Sequence, residues 1–284
     1  MKPIYKWTGG KRKDIVFIKE YFPDYVKNEQ EYTYIEPFFG GGAVYWYLNN
    51  DDNIINDIDE ELINFLITLK NSSDALSSEF NQYTDKIKEI TEREKNGEIS
   101  IAEAKTERGI FYYELRNKDR NNGLKKLTEF ERAVRFYIVN QFSFSGLRRF
   151  NSKGEFNVSY GNYKSFNKQY TDKHINLLNN TEIHHGDYQD IIKKKKYNTF
   201  VFLDPPYTGV FKSYSGDEFN SEMHLKLAEV FKTSNCDIMM VINKDEFTSE
   251  LYKDYIIHEY DFKYSKNVKN RQENNSKHLI ITNY

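Results

Sequence analysis

The sequence predicts an α/β fold: a Rossmann-like, mainly parallel sheet interrupted by a mainly helical insertion. Three observations carry this prediction. Residues 32–70 run strand, glycine turn, helix, strand, acid, helix. From about 72 to 139 the strands vanish and a helical apolar period takes over, and the strand–helix alternation returns at about 173.

The elements follow in order. Residues 14–22 (DIVFIKEYF) form a short amphipathic helix. Residues 32–36 (YTYIE) make a buried strand ending in an acid, Pro37 to Gly42 a turn, and 43–49 the start of a helix. A second strand, 53–56, ends at Asp57, and 59–70 is helical by period. In the insertion, 104–116 and 124–139 read as helices, while the highly charged 85–108 is either a solvated helix or a partly mobile excursion. Residues 140–170 are rich in Gly, Ser, Asn and aromatics, and Lys153-Gly154 reads as the tip of a hairpin or loop pair. A helix at 172–180, strands at 181–185 and 200–203, a helix at 221–233, a strand at 237–242, a helix at 245–253 and strands near 256–263 and 278–282 complete the pattern. These boundaries predict one domain from 1–71 and 172–284, with 72–171 inserted into it.

Composition narrows the partners only a little. With 41 Lys plus Arg against 43 Asp plus Glu, the net charge of -2 neither advertises nor excludes nucleic acid, because the electrostatic footprint is a local patch. An aromatic fraction of 16% points to an aromatic core and some aromatic functional surface, although drift toward Asn, Lys, Ile and Tyr explains it equally. Cys236 alone excludes an intramolecular disulfide and fits a reducing cytosol. The N-terminal MKPIYKWTGGKR lacks an apolar signal region, and no apolar run is long enough to span a membrane. A cytoplasmic protein, monomeric in solution, is expected. Lys193 to Lys196 reads as a solvated loop, with weak phosphate attraction as the alternative. The His residues form no ligand cluster, so no metal is expected.

Two constellations carry chemistry. Residues 36–42, E-P-F-F-G-G-G, place glycines after a buried strand, where the backbone can turn sharply and approach a ligand or simply make a structural turn. Asp57, an acid at the end of the next strand, is placed to accept hydrogen bonds from ribose hydroxyls, whereas Asp59 faces elsewhere or caps the following helix. Trp7-Thr8-Gly9-Gly10-Lys11 adds an aromatic plane, a flexible backbone and a cation, or else a packed N-terminal arm. The second constellation is Asp204-Pro205-Pro206-Tyr207, just past a buried strand. The prolines stiffen the loop so that the Asp204 carboxylate and the Pro205 carbonyl converge as two acceptors, suited to an aromatic amine that Tyr207 stacks upon. Asp187, in H-H-G-D-Y, reads either as a further adenine-binding acid or as a cap.

Phe38-Phe39-Gly40-Gly41-Gly42 followed by Asp204-Pro205-Pro206-Tyr207 resembles the Dam-type, D12 class of DNA adenine-N6 methyltransferases. The order of motifs looks like the alpha group of that superfamily. The likeness extends to W-T-G-G-K-R at 7–12, I-N-D-I-D-E-E-L-I-N at 55–64, S-G-L-R-R-F-N-S-K-G-E-F-N-V at 145–158 and L-I-I-T-N-Y at the C-terminus. The resemblance implies a methyltransferase that uses S-adenosyl-L-methionine, with double-stranded DNA as substrate and its adenine flipped into the pocket. A cognate restriction endonuclease acting separately is the partner it suggests. Trp7, Lys11, Phe38, Gly40, Gly42, Asp57 and Asp187 would hold the cofactor, and Asp204, Pro205, Pro206 and Tyr207 the adenine. In this family D-P-P-Y favours adenine over cytosine N4, and no Pro-Cys nucleophile supports cytosine C5 chemistry.

Residues 140–164 look like the family's DNA-reading hairpin. Arg149 matches a guanine-contacting position of GATC-specific relatives, Arg148 adds a donor beside it, and Phe144 matches an aromatic inserted near the flipped base. Ser159 and Asn162 stand where GATC enzymes carry Pro and Arg, which puts the GATC word in question. The segment from Lys263 to Lys277 resembles a basic loop on DNA phosphates, or a solvated loop. The competing readings are methylation of RNA or another planar nitrogen, and a noncatalytic DNA-binding module.

Overall fold

The computed structural model describes residues 1–192, 198–206, 219–262 and 276–284. The run Lys193 to Lys196, Tyr207 and residues 263–275 of the basic tail lie outside the described residues. The strands are β1 (Thr33–Glu36), β2 (Asn53–Asp57), β3 (Thr181–His185), β4 (Thr199–Leu203), β5 (Asp237–Asn243), β6 (Ile256–Phe262) and β7 (Ser276–Thr282). They belong to a seven-stranded sheet. The chain divides into two compact units, one of Met1–Arg12, Gly40–Asn49 and Asp59–His185, the other of Lys13–Phe39, Asn50–Ile58 and Gly186–Tyr284.

The second unit holds six of the strands, in the order β2-β1-β4-β5-β7-β6. The first four run parallel, and β7 returns antiparallel between β5 and β6. Strands β1 and β4 are wholly buried, as expected of central parallel strands covered on both faces. Ile35, Val201, Leu203, Met240, Ile242 and Ile281 belong to one core cluster that also takes up Cys236. The expected helix at 14–22 is a single turn, Ile15–Ile18, continued by a 3-10 turn to Tyr21 and ended before Pro23.

The first unit is mainly helical, and the expected helices are longer or later than their periodicity indicates. The one starting near 59 runs Glu60–Lys95, capped by Asp59, and breaks its helical geometry at Ser72. The charged stretch 85–108 is therefore mostly helix, interrupted by a turn at Gly97 and restarted at Ile101 by a Ser100/Glu103 capping box. The next helix is Glu129–Phe142, opened by a Thr128/Glu131 capping box, so 124–126 belong to a preceding 3-10 segment. The region 140–170 pairs its arms only through isolated bridges, Ser143 with Tyr160 and Phe150 with Phe156. Helix Asp172–Asn179 and strand β3 also group with this unit.

Candidate active site

In the second unit, parallel register sets the geometry. Glu36 pairs with Ile55 of β2 and Ile35 with Val201 of β4, so the carboxyl ends of β2, β1 and β4 share one edge of the sheet. That edge presents half-buried Asp57, the Pro37 turn with half-buried Phe38, and half-buried Asp204. Pro205 is buried and Pro206 exposed. The carboxyl edge is where open α/β sheets bind ligands.

Asn56 joins these pieces. Its buried amide donates to the Pro37 carbonyl (3.0 Å) and to the Gly186 carbonyl (2.9 Å), while its own carbonyl accepts from Phe39 N (2.9 Å). Gly186 N also donates to the Asp57 carbonyl at 3.3 Å. Phe38, Asp57 and Asp187 are thereby brought together by the Asn56 amide and by backbone bonds. Asp187 is exposed and its Oδ1 accepts from Gln189 N at 2.8 Å, so one carboxylate oxygen does cap the short helix Gln189–Ile192. Phe38 lies between Tyr188 (centroids 5.0 Å apart) and Phe219 (5.7 Å), and Phe219 meets the fully buried His224 edge-on at 4.7 Å. Burial pushes the Tyr188 hydroxyl up to about 12 and holds His224 below its ordinary value, opposed by the Pro206 backbone and Asp245.

In the first unit, the glycine turn has an occupant within the chain itself. Gly40 adopts φ +47 and a Cβ there would stand 2.7 Å from Trp7 Nε1; at Gly41 it would meet Trp7 Cβ at 2.9 Å. Gly42 caps the helix Ala43–Leu48 at φ 60. The glycines are needed first for the indole to lie against the backbone, and Tyr5 OH fixes the turn by donating to the Gly40 carbonyl at 2.8 Å. Lys11 is buried, its Nζ 3.3 Å from the Gly9 carbonyl. Trp7 and Gly41 line a cavity of about 480 Å³, with Lys6, Arg12, Gln141 and Tyr163 among its other walls.

The same unit carries the 140–164 segment. Phe144 is 46% exposed, and Arg149, Ser159 and Asn162 are exposed too. Asn162 takes a left-handed conformation, φ 58, which Asn tolerates better than most side chains. Arg149 Nε donates to Asn157 Oδ1 at 2.8 Å and its Nη2 to the Asn157 carbonyl at 3.2 Å. The neighbouring Arg148 is placed differently. Its side chain is 6% exposed, ion-paired to Asp59, with its guanidinium over Trp7 (4.8 Å) and Phe136 (5.0 Å).

A family model described as "D12 class N6 adenine-specific DNA methyltransferase" matches residues 7–266. The chain belongs to this family. Among its curated relatives, a Type II methyltransferase of Lactococcus lactis subsp. cremoris, M1.LlaDCHI, is 31% identical over 100% of this chain and 96% of its own. The Type II methyltransferase M.CviBI of Paramecium bursaria Chlorella virus NC1A is 32% identical with both chains fully covered. The DNA adenine methylase of Escherichia coli K12 is 30% identical over 81% of this chain and 75% of its own.

This D12 methyltransferase acts on adenine N6 in DNA, as the family resemblance implies. Two structural supports were not singled out in the sequence. Asn56 follows Ile54 and Ile55 in β2, and a buried amide just before Asp57 is the available signal. Asp119 accepts from Arg120 Nη1, Arg135 Nη2 and Phe156 N, each at 2.7 Å, and so ties the 149–158 loop to the helices. Nothing in its local sequence announces that hub. Among the described residues no helix is long and apolar enough to cross a membrane.

Proposed function

We propose that this enzyme takes its methyl group from S-adenosylmethionine and modifies an adenine flipped out of a short duplex site. The observation that carries the reading is the convergence of Asp57, Phe38, Asp187 and the Asp204–Pro205 loop on the sheet's carboxyl edge. The donor set fits a nucleoside cofactor: carboxylates for hydroxyls and an amine, an aromatic face, and no requirement for a phosphate-binding helix. The separate cavity beside Trp7 and Gly41, about 480 Å³, falls within the usual range for small-ligand sites of ~300–1,000 Å³. When bound, the cofactor supplies an electrophilic methyl on a sulfonium.

The protein's own contribution is placement and field. The Asp204 carboxylate and Pro205 carbonyl accept the two N–H bonds of the adenine amine, aim its nitrogen, and stabilise the positive charge that grows there as it bonds carbon. Pro206, lacking an N–H, keeps the loop from refolding into helix or sheet. Tyr207 stacks on the extracted base, which pays back part of the unstacking cost. Arg149 reads guanine from the major groove, Phe144 fills space near the extracted base, and the word read with Ser159 and Asn162 in place of Pro and Arg is GATC or a related short site. The enzyme works in the cytoplasm beside a separately acting restriction endonuclease, in keeping with the Type II names of its relatives.

Asp204→Ala tests the mechanism. It should abolish methyl transfer to duplex DNA while binding S-adenosylhomocysteine in calorimetry nearly as the parent does. Full transfer activity in that variant refutes the assigned role.

A further inference from the structure

The 147–150 segment alternates its side chains. Leu147 has extended backbone (φ -63, ψ 145), and Phe150 bridges Phe156. Successive side chains of an extended segment point to opposite sides. Arg149 accordingly faces out, engaged with Asn157, and Arg148 faces in. The inward guanidinium sits in an aromatic cage of Trp7, Phe136 and Phe150, at 4.8, 5.0 and 5.8 Å. Its partner, Asp59, also caps the Glu60–Lys95 helix by accepting Leu62 N at 3.1 Å on the other carboxylate oxygen. The Asp59 carboxylate is 5% exposed, so neither charge is shared with bulk water.

We infer that Arg148 is a positioning residue that fixes the Trp7 indole over the Gly40–Gly41 turn and so links the DNA-reading segment to the cofactor site. A fixed cation below a ring holds the ring by its face, and a rigid planar guanidinium does so better than an ammonium. Trp7 in turn stands where a Cβ on Gly40 or Gly41 would be. The chain of contact is continuous: reading segment, Arg148, indole, glycine turn. Because Arg148 and Arg149 are adjacent, a displacement of the segment as Arg149 engages a base moves the guanidinium under the indole. Cofactor and DNA affinities are then coupled through this contact, reciprocally. The inference rests on Trp7 lining the cofactor site, as the proposed function has it.

The test compares Arg148→Met with Arg149→Met and Trp7→Ala in the full chain, without DNA. The two tryptophans differ in exposure: Trp46 is fully buried and Trp7 only partly so, so acrylamide quenching reports Trp7. Arg148→Met should raise that quenching and weaken S-adenosylhomocysteine binding by roughly tenfold, whereas Arg149→Met should change neither. Arg148→Lys keeps the charge beside Asp59 without the planar face. It should fold as the parent does and still show the altered quenching, so it carries the test where the Met variant fails to fold. Parental quenching and affinity in both Arg148 variants overturn the inference. So does raised quenching with parental affinity. Trp7→Ala then separates the causes: unaltered affinity there faults the placement of Trp7 at the cofactor site, and weakened affinity faults the Arg148 link itself.

Discussion

Replacing Gly40 by Ala should be among the costlier single-methyl additions in this molecule, and the structure divides the cost into two parts. The backbone at Gly40 has φ +47, a conformation that costs an L-residue roughly 1–2 kcal/mol. The added Cβ would also stand 2.7 Å from Trp7 Nε1, closer than real Cβ contacts come, and 3.2 Å from Cδ1, tighter than most of them. The indole cannot swing away freely, since Arg148 lies over it and Tyr5 meets it edge-on at 5.9 Å. Forcing a methyl into such a site typically costs about 1–3 kcal/mol. The expected total is therefore about 2–5 kcal/mol in chemical denaturation. In a Trp7→Ala background the steric part disappears and about 1–2 kcal/mol should remain. Gly41→Ala is the contrast: its φ is not in the left-handed region, so its cost should be almost wholly steric, and it should largely persist in the Trp7→Ala background because its nearest contact, at 2.9 Å, is the Trp7 Cβ that alanine keeps. An equal cost for Gly40→Ala in both backgrounds would refute the claim that the indole shapes this turn.

Further outcomes follow from other parts of the structure. Arg149→Ala should reduce discrimination between the cognate site and a single-base variant by about 1–3 kcal/mol in kcat/KM, with cofactor affinity unchanged; retained discrimination counts against its reading role. Asp119→Ala strands buried Arg135, and losing one partner of a buried pair costs about 3–5 kcal/mol, measurable by urea denaturation, with a cost near zero ruling out the hub. Burial is the main cause lowering the pKa of His224 and of His174 below the ordinary 6.5, so the unfolded chain binds more protons in the acidic range. Stability should hold above that value and fall as pH drops below it toward the folded-state pKa values. His174 Nδ1 accepts from Thr171 N (3.1 Å) in its neutral form, so His174→Gln should flatten part of that slope.

The sheet was legible because its strands are short apolar runs closed by Gly, Pro or acids, and β1, β2, β4 and β5 begin or end within a residue or two of the expected positions. Helix lengths in the insertion were less legible. The 85–95 stretch carries so many charges that periodicity could not separate a solvated helix from a loop, although Ser100-x-x-Glu103 and Thr128-x-x-Glu131 spell the two helix starts. Residues whose partners are far along the chain were hidden altogether. The glycine triplet reads as a ligand cradle, but Trp7 lies against it, and no local rule connects positions 7 and 40. Arg148 and Arg149 look alike in sequence. Only the extended backbone, with Asp59 beneath it, turns one inward and leaves the other outside.

The chemistry and its target are tested most directly by nucleoside analysis of duplex DNA incubated with the enzyme and methyl-labelled S-adenosylmethionine. The label should appear in N6-methyl-2′-deoxyadenosine at one short recurring sequence, and should be absent with Asp204→Ala. Label in cytosine, or in RNA in preference to DNA, would contradict the account.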